Sequence, residues 1–200
     1  MKDLLPADNL KRQIVLFQKK CGQYTIKVKP LCLTRDIRPL HRWMNMEYAK
    51  AFWQMAWPYS KLYKHYEWFI DSGLGYPLMF FIDNKVRPVA LIDAYLAKKD
   101  EVAKHYDAGA EDFGVHLLMG PDKKRIPALS ANVMIAGLSF LFSLGVERII
   151  GEPDVNNKNA NALVQRVGFK WIKQIELSYK TANLYFCEKG EFVKAHPPDS

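Results

Sequence analysis

A stretch of 21 residues without a charged side chain, residues 126–146, constrains the fold more than any other feature of this sequence. Its length is close to the minimum for a membrane-spanning helix. Small and polar residues nevertheless dilute its hydrophobicity: Pro127, Ser130, Asn132, Gly137, Ser139 and Ser143. We therefore predict a buried helix from about Leu129 to Leu144, ended by Gly145, and no membrane partner.

Short apolar runs with the length and pattern of β-strands surround this helix. The predicted strands are residues 24–28, 78–82, 86–96, 115–119, 146–151, 169–175 and 182–187. A further helix is predicted to begin at Asn156 or Asn157 and to end at Gly168, and residues 83–85 are predicted to turn a hairpin. The order of elements predicts an α/β fold in which helices flank a mixed, mostly antiparallel sheet.

The length of 200 residues is sufficient for one domain. Leu10, Ile14 and Phe17 share one helical face, which predicts a short basic helix at residues 9–20. We expect a basic N-terminal extension at residues 1–22, a single domain at residues 23–190 and a C-terminal tail at residues 191–200.

The formal net charge of +8 is typical of a protein with a polyanionic partner, but its distribution argues against one. Residues 1–50 carry 11 basic and 4 acidic side chains, whereas residues 51–200 carry 18 and 17. We expect no nucleic-acid partner. A non-enzymatic module that binds an anionic partner through its basic first 50 residues is one alternative.

The three cysteines indicate neither a disulfide framework nor a metal site. Cys21, Cys32 and Cys187 form no Cys-x-x-Cys pair and have no histidine at zinc-finger spacing. A reducing cytoplasm fits best, and the first residues lack the pattern of an export signal. We expect no metal.

His116 is the polar residue in the otherwise apolar run 115–119. It is either a core histidine with a hydrogen-bond partner or a general base or acid. Glu152 and Asp154 follow the strand at 146–151, at the end where open α/β sheets bind ligands. Asp154 alternatively caps a turn before Asn156.

Two further segments have alternative interpretations. Gly120 to Arg125 lead into the N-terminus of the uncharged helix, and Lys123, Lys124 and Arg125 make this either a phosphate site or a solvated turn. Residues 41–70 hold 10 of the 26 aromatic side chains, which form either a substrate lid or a second small core.

A set of motifs in fixed order carries a specific resemblance. They are His41-Arg42-Trp43-Met44-Asn45, Phe52-Trp53, Ala56-Trp57-Pro58, His105-Tyr106-Asp107-Ala108-Gly109, Gly114-Val115-His116-Leu117-Leu118, Gly151-Glu152-Pro153-Asp154, Asn157, Ala160, Leu163 and Gly168-Phe169. From about residue 24 to residue 188 the chain resembles the siderophore-biosynthesis branch of the GNAT acyltransferases, which includes the aerobactin, alcaligin and mycobactin hydroxylamine N-acyltransferases.

The resemblance implies a GNAT fold, with a sheet splayed between its fourth and fifth strands where acyl-CoA binds. It implies direct transfer of an acetyl or succinyl group to the hydroxylamine nitrogen of an N-hydroxylated diamine or N6-hydroxylysine, within a ternary complex. His116 and Asp154 are the implied catalytic pair: His116 accepts the proton, and Asp154 orients the histidine or the hydroxylamine. The product is a hydroxamate, and the protein is a monomer or a homodimer.

The resemblance also implies two sets of binding residues. Those for acyl-CoA are Leu118, Met119, Gly120, Lys123, Lys124, Arg125, Ala128, Leu129 and Asn157. Those for the acceptor are His41, Trp43, Asn45, Trp53, Trp57 and Asp107. Residues 125–129 depart from the glycine-rich GNAT pyrophosphate loop, since Ile126 is bulky and Pro127 lacks an N–H. A GNAT that acylates another amine, such as an antibiotic or a protein, is the second alternative.

Overall fold

The computed structural model of the protein describes residues 14–83, 86–121 and 126–197. The strands are β1 Phe17–Cys21, β2 Tyr24–Pro30, β3 Gly75–Ile82, β4 Ala90–Leu96, β5 Phe113–Met119, β6 Arg148–Gly151, β7 Lys170–Leu177 and β8 Lys180–Glu188. The α-helices are α1 Leu33–Met44, α2 Glu47–Trp53, α3 Tyr59–Asp71, α4 Leu129–Ser143, α5 Lys158–Arg166 and α6 Lys189–Ala195. Short 3-10 helices occupy Ala97–Lys99 and Glu101–His105.

The eight strands form a mixed sheet in the order β1-β2-β3-β4-β5-β6-β8-β7. β5 and β6 are parallel because α4 connects them, whereas β1 with β2, β2 with β3, β6 with β8 and β7 with β8 are antiparallel. The predicted fold class is confirmed. β5 and β6 correspond to the fourth and fifth predicted strands, and they are paired only at Phe113 with Ile149 and at Gly114 with Ile150.

The chain divides into two compact units, and β4 and β5 contribute residues to both. The first unit comprises the described residues of 1–93 and 117–127, and the second comprises those of 94–116 and 128–200. The predicted domain boundaries at residues 22 and 190 stay predictions.

The core of the first unit lies where helices α1 to α3 cover the sheet. Its buried members are Leu31, Ile37, Leu40, Trp43, Met44, Ala49, Leu62, Tyr66, Met79, Phe81, Leu91 and Leu118. Trp53, Trp57, Tyr63 and Phe69 pack against this cluster. The aromatic segment at residues 41–70 therefore supplies a core, one of its two predicted roles.

In the second unit, α4 is the buried helix that the uncharged stretch predicted, and it ends before Gly145 at a φ of +92°. No helix in the described part of the chain is long and apolar enough to span a membrane. α5 begins after Asn157, whose side chain accepts a hydrogen bond from the Ala160 N–H, and Gly168 follows its end at a φ of +106°. These positive φ angles explain both glycines.

Two sequence predictions differ from the structure. The helix predicted at residues 9–20 is wrong from Ile14 onwards, because residues 14–16 are not helical and β1 begins at Phe17. β1 pairs with β2 across a tight turn that Gly22 allows at a φ of +62°. β4 begins at Ala90 instead of residue 86. α6 overlaps the predicted C-terminal tail and buries Phe192 against Phe142. Residues 1–13 and 84–85 lie outside the described residues.

Candidate active site

His116 projects from β5 with 38% of its side chain exposed, although most of the strand is buried. Solvent thus reaches the imidazole. This exposure does not fit a core histidine whose only function is packing, and it leaves the acid or base role as the better interpretation.

Glu152 is the carboxylate that pairs with His116, through a hydrogen bond between Glu152 Oε1 and His116 Nε2. The strand register explains the pair. Gly114 lies opposite Ile150 in the parallel ladder, so the next side chains on the same faces are those two residues further along, His116 and Glu152. The turn after β6 buries Glu152 almost completely.

Burial alone would raise the pKa of Glu152, because a carboxylate loses solvation in the interior. Attraction to His116, the hydrogen bond with it, and the charge of Lys180 outweigh burial and lower this pKa below its ordinary value. Lys180 Nζ lies 3.8 Å from Glu152 Oε1, with 12% of its side chain exposed. Glu152 is therefore ionised at neutral pH.

The turn between β7 and β8 holds Lys180 over Glu152. Glu101 accepts hydrogen bonds from the Ser178 N–H at 3.2 Å and from the Ser178 hydroxyl at 2.7 Å. These contacts attach the turn to the 3-10 helix Glu101–His105. They therefore fix the position of Lys180, which is the first residue of β8.

Tyr95 packs beside the His116 imidazole, with ring centroids 4.9 Å apart and planes inclined by 33°. A Cβ on Gly114 would lie 2.0 Å from Tyr95 Cζ, so the glycine makes room for this ring. Burial, and then the charge of Glu152, raise the pKa of Tyr95 well above its ordinary value. The buried Tyr95 hydroxyl and Glu152 carboxylate interact, although neither Tyr95 OH nor Glu152 Oε2 meets the distance and angle of a hydrogen bond within the described part of the chain.

Asp154, the other member of the predicted catalytic pair, stabilises its own turn. Its Oδ1 accepts from the Asn156 N–H at 2.7 Å, which is the capping role anticipated as an alternative. The structure shows Glu152, not Asp154, hydrogen-bonded to His116. A contact of Asp154 with the hydroxylamine stays a prediction.

Asn161 connects the Asp154 turn to the sheet. Its amide donates to the Asp154 carbonyl at 2.8 Å and to the Asn157 carbonyl at 2.9 Å. Its Oδ1 accepts from Asn183 at 2.8 Å and from the Tyr185 hydroxyl at 3.0 Å. The backbone between Glu152 and α5 is thereby fixed.

The residues predicted to bind acyl-CoA at the end of β5 already have protein partners. Leu118 is buried in the core of the first unit. The Met119 carbonyl accepts from the Tyr48 hydroxyl at 2.8 Å, and the Gly120 N–H donates to the Val89 carbonyl at 2.8 Å. The Gly120 N–H is therefore engaged within the protein, and the acyl-CoA roles of these three residues stay predictions.

The remaining predicted acyl-CoA residues surround the starts of α4 and α5. Lys123, Lys124 and Arg125 lie outside the described residues. Ala128 precedes α4 at a φ of +56°, a left-handed conformation that glycine adopts more easily, and Leu129 is buried. Asn157 caps α5. Their contacts with acyl-CoA stay predictions.

Of the predicted acceptor residues, the structure brings His41 and Trp57 together: His41 Nε2 lies 3.0 Å from the Trp57 carbonyl oxygen. Trp43 is buried, and a Cβ on Gly120 would lie 2.6 Å from its ring, so Trp43 packs in the core. Asn45 donates to the His41 carbonyl at 2.8 Å and ends α1.

Trp53 and Asp107 are the two remaining predicted acceptor residues. Trp53 is half-buried at the end of α2, and Lys61 lies over the Trp57 ring at 4.1 Å. Asp107 is exposed, in the second unit. Roles in acceptor binding stay predictions. The described residues contain no group of three metal-ligating side chains.

Tyr95 and Lys180 are site residues that sequence reasoning missed. Neither belongs to a motif, and they lie 21 and 64 positions from His116 along the chain. Gly114 was the available signal, since a glycine two residues before His116 indicates a close approach by another group.

The chain is similar to several known proteins. Residues 32–177 match the family described as an acetyltransferase (GNAT) domain. N-hydroxyputrescine acetyltransferase of Acinetobacter baumannii is 25% identical over 172 residues, which are 86% of this chain and 82% of that relative.

Two further proteins are similar to the chain. N(6)-hydroxylysine O-acetyltransferase of Escherichia coli is 25% identical over 160 residues, which are 78% of this chain and 50% of that relative, so the chain matches half of its length. The crystal structure of aminoglycoside acetyltransferase AAC(6')-Ib with coenzyme A superposes with a TM-score of 0.75 at 16% identity, covering 84% of this chain and 98% of that one. This last likeness concerns the fold alone.

Proposed function

The chain belongs to the acetyltransferase (GNAT) domain family and is an acyltransferase, and from this premise we propose its substrates and mechanism. The proposed reaction transfers an acetyl or succinyl group from acyl-CoA to the hydroxylamine nitrogen of an N-hydroxylated diamine or N6-hydroxylysine. The product is a hydroxamate used in siderophore assembly, in the cytoplasm. The observation that carries this proposal is the ionised Glu152 paired with the solvent-accessible His116.

The names of the relatives support the acceptor class. One relative is an N-hydroxyputrescine acetyltransferase and the other an N(6)-hydroxylysine O-acetyltransferase. Both names describe an N-hydroxylated amine, one a diamine and one an amino acid. The motifs around His116 and Asp154 resemble those of the siderophore-biosynthesis branch and support the same acceptor class.

The short parallel pairing supports the site proposed for acyl-CoA. β5 continues to Met119, but its pairing with β6 ends at Gly114 with Ile150. β5 and β6 therefore part after this pair, and this is the end of the two strands where we propose that the pantetheine arm of acyl-CoA binds.

His116 is the proposed general base. The Glu152 carboxylate only accepts, so His116 Nε2 carries the proton of that hydrogen bond and the lone pair of the neutral ring is on Nδ1. The hydroxylamine nitrogen attacks the thioester carbon and its proton passes to Nδ1, directly or through water. As the C–S bond breaks, the thiolate takes that proton to give free CoA.

Glu152 and Lys180 set the charge of the site during this step. A buried carboxylate beside the ring stabilises the imidazolium that forms when His116 takes the proton. Lys180 offsets part of the cost of burying the carboxylate. Tyr95 keeps the ring in orientation by packing beside it.

The test is a matrix of donors and acceptors. Acetyl-CoA and succinyl-CoA are each combined with N-hydroxyputrescine, N-hydroxycadaverine and N6-hydroxylysine, and both hydroxamate and free thiol are measured. The proposal is refuted if none of the donor–acceptor pairs releases thiol. His116→Ala is expected to lower turnover by roughly 100-fold or more. A loss of only a few-fold, in a variant with an unchanged circular dichroism spectrum, would exclude His116 as the base.

A further inference from the structure

A cavity of about 440 Å³ in the first unit is lined by residues of α1 and by the first residue of α3. Arg38, His41 and Arg42 come from α1, and Tyr59 comes from α3. The three basic residues share one face of α1, because positions three and four apart on a helix are neighbours. Two guanidinium groups and an imidazole therefore converge on one concave surface.

Within the described part of the chain, the two guanidinium groups have no acidic partner. No carboxylate in residues 14–83, 86–121 and 126–197 forms an ion pair with Arg38 or Arg42. On the same helix, Arg35 is held by Asp36 at 2.6 Å. Like charges four residues apart repel each other by a few tenths of a kcal/mol, about 0.2–0.5. A bound anion would remove this repulsion.

The imidazole in the cavity is fixed by the backbone. His41 Nε2 lies 3.0 Å from the Trp57 carbonyl, which can only accept, so Nε2 carries a proton. The Tyr59 ring meets the imidazole edge to face at 5.8 Å. His41 and Tyr59 are thus oriented before any ligand arrives, which reduces the entropy lost on binding.

We propose that this cavity binds the carboxylate of a small molecule, held by Arg38 and Arg42. Guanidinium groups match carboxylates with paired N–H donors. This inference rests on the proposed function, in that the carboxylate belongs to one of the two substrates. Succinyl-CoA and N6-hydroxylysine each carry one, whereas acetyl-CoA and the diamines do not. The same positive charges repel the cationic end of a diamine.

Calorimetric titration of the full-length protein with succinate tests the cavity without any reaction. Arg38→Gln and Arg42→Gln are each expected to weaken succinate binding roughly tenfold, since a hydrogen bond to a charged group contributes about 1.5 kcal/mol or more. Lys64→Gln is the matched control: it removes one exposed charge from α3 but does not line the cavity. The inference is overturned by an absence of succinate binding, or by equal losses in the Arg42 and Lys64 variants.

Steady-state kinetics identify which substrate carries the carboxylate. Succinyl-CoA is compared with butyryl-CoA, and N6-hydroxylysine with N-hydroxycadaverine, since each pair differs in the carboxylate. Arg42→Gln is expected to raise KM roughly tenfold for one carboxylate-bearing substrate and not to raise KM for the counterpart that lacks the carboxylate. Equal effects within both pairs contradict the assignment to a substrate. If no pair gives hydroxamate, the proposed function fails, while the succinate titration still decides whether the cavity binds a carboxylate.

Discussion

Glu152→Gln removes the negative charge beside His116 while it keeps the size and shape of the side chain. The hydrogen bond between the buried Glu152 carboxylate and the partly exposed His116 is charge-assisted, and such bonds contribute about 1.5–3 kcal/mol. If that stabilisation is expressed when His116 takes the substrate proton, its loss raises the barrier by the same amount. We therefore expect kcat to fall by about 10- to 150-fold.

The assay is hydroxamate formation at saturating donor and acceptor, followed across pH. Glu176→Gln is the matched control, because Glu176 is an exposed carboxylate of β7 in the same unit and its amide oxygen can still accept from Thr181. The unfolding midpoint in urea distinguishes a catalytic loss from unfolding. A kcat within threefold of the wild type, in a folded Glu152→Gln variant, would refute the role of the Glu152 charge.

Three further predictions follow from the same site. First, the pKa of Glu152 is lower in the folded protein than its unfolded value of 4.5, so the ionised carboxylate stabilises the fold above pH 4.5, and this contribution is lost as pH falls from about 4.5 towards about 2. The unfolding free energy of the wild type, measured in urea, should therefore fall relative to that of Glu152→Gln over this pH range. A constant difference between the two proteins would contradict the prediction. Second, Gly114→Ala places a methyl group where the Tyr95 ring lies, and we expect a loss of about 1–3 kcal/mol in unfolding free energy together with lower kcat; Gly190→Ala, where a Cβ meets nothing within 4 Å, is the control, and equal effects would exclude the clash. Third, Asn161→Ala removes the amide that holds the Asp154 turn, and we expect a loss of about 2–3 kcal/mol and a lower kcat, measured by urea unfolding and by hydroxamate assay; a stability change below 0.5 kcal/mol would show that the turn does not depend on this amide.

The local patterns predicted the elements of the site better than its contacts. His116 was recognisable as a polar residue in an apolar strand, and Glu152 and Asp154 as carboxylates after the next strand. Which carboxylate bonds to the histidine depended on the parallel register of β5 and β6. A shift of one residue would have turned Glu152 to the other face of the sheet.

For the aromatic segment at residues 41–70, the sequence left two roles open. Ten aromatic residues within 41–70 indicated either a lid or a core, and periodicity alone does not distinguish them. The structure buries Trp43 and Tyr66, and Trp57 packs against the same core. Burial depends on which surfaces meet in three dimensions, so sequence spacing leaves this choice open.

The sequence by itself determined seven of the eight strands, the buried character of α4, and the position of His116 as a polar residue in an apolar strand. Hydrophobic period, capping residues and glycine positions act within a few residues, so they can be recognised along the chain. Only the tertiary structure decided that Glu152 pairs with His116, that Tyr95 and Lys180 join them, and that Arg38 and Arg42 face one cavity with Tyr59. These contacts join residues up to 36 positions apart, and the sheet register and helix packing that create them are properties of the whole fold.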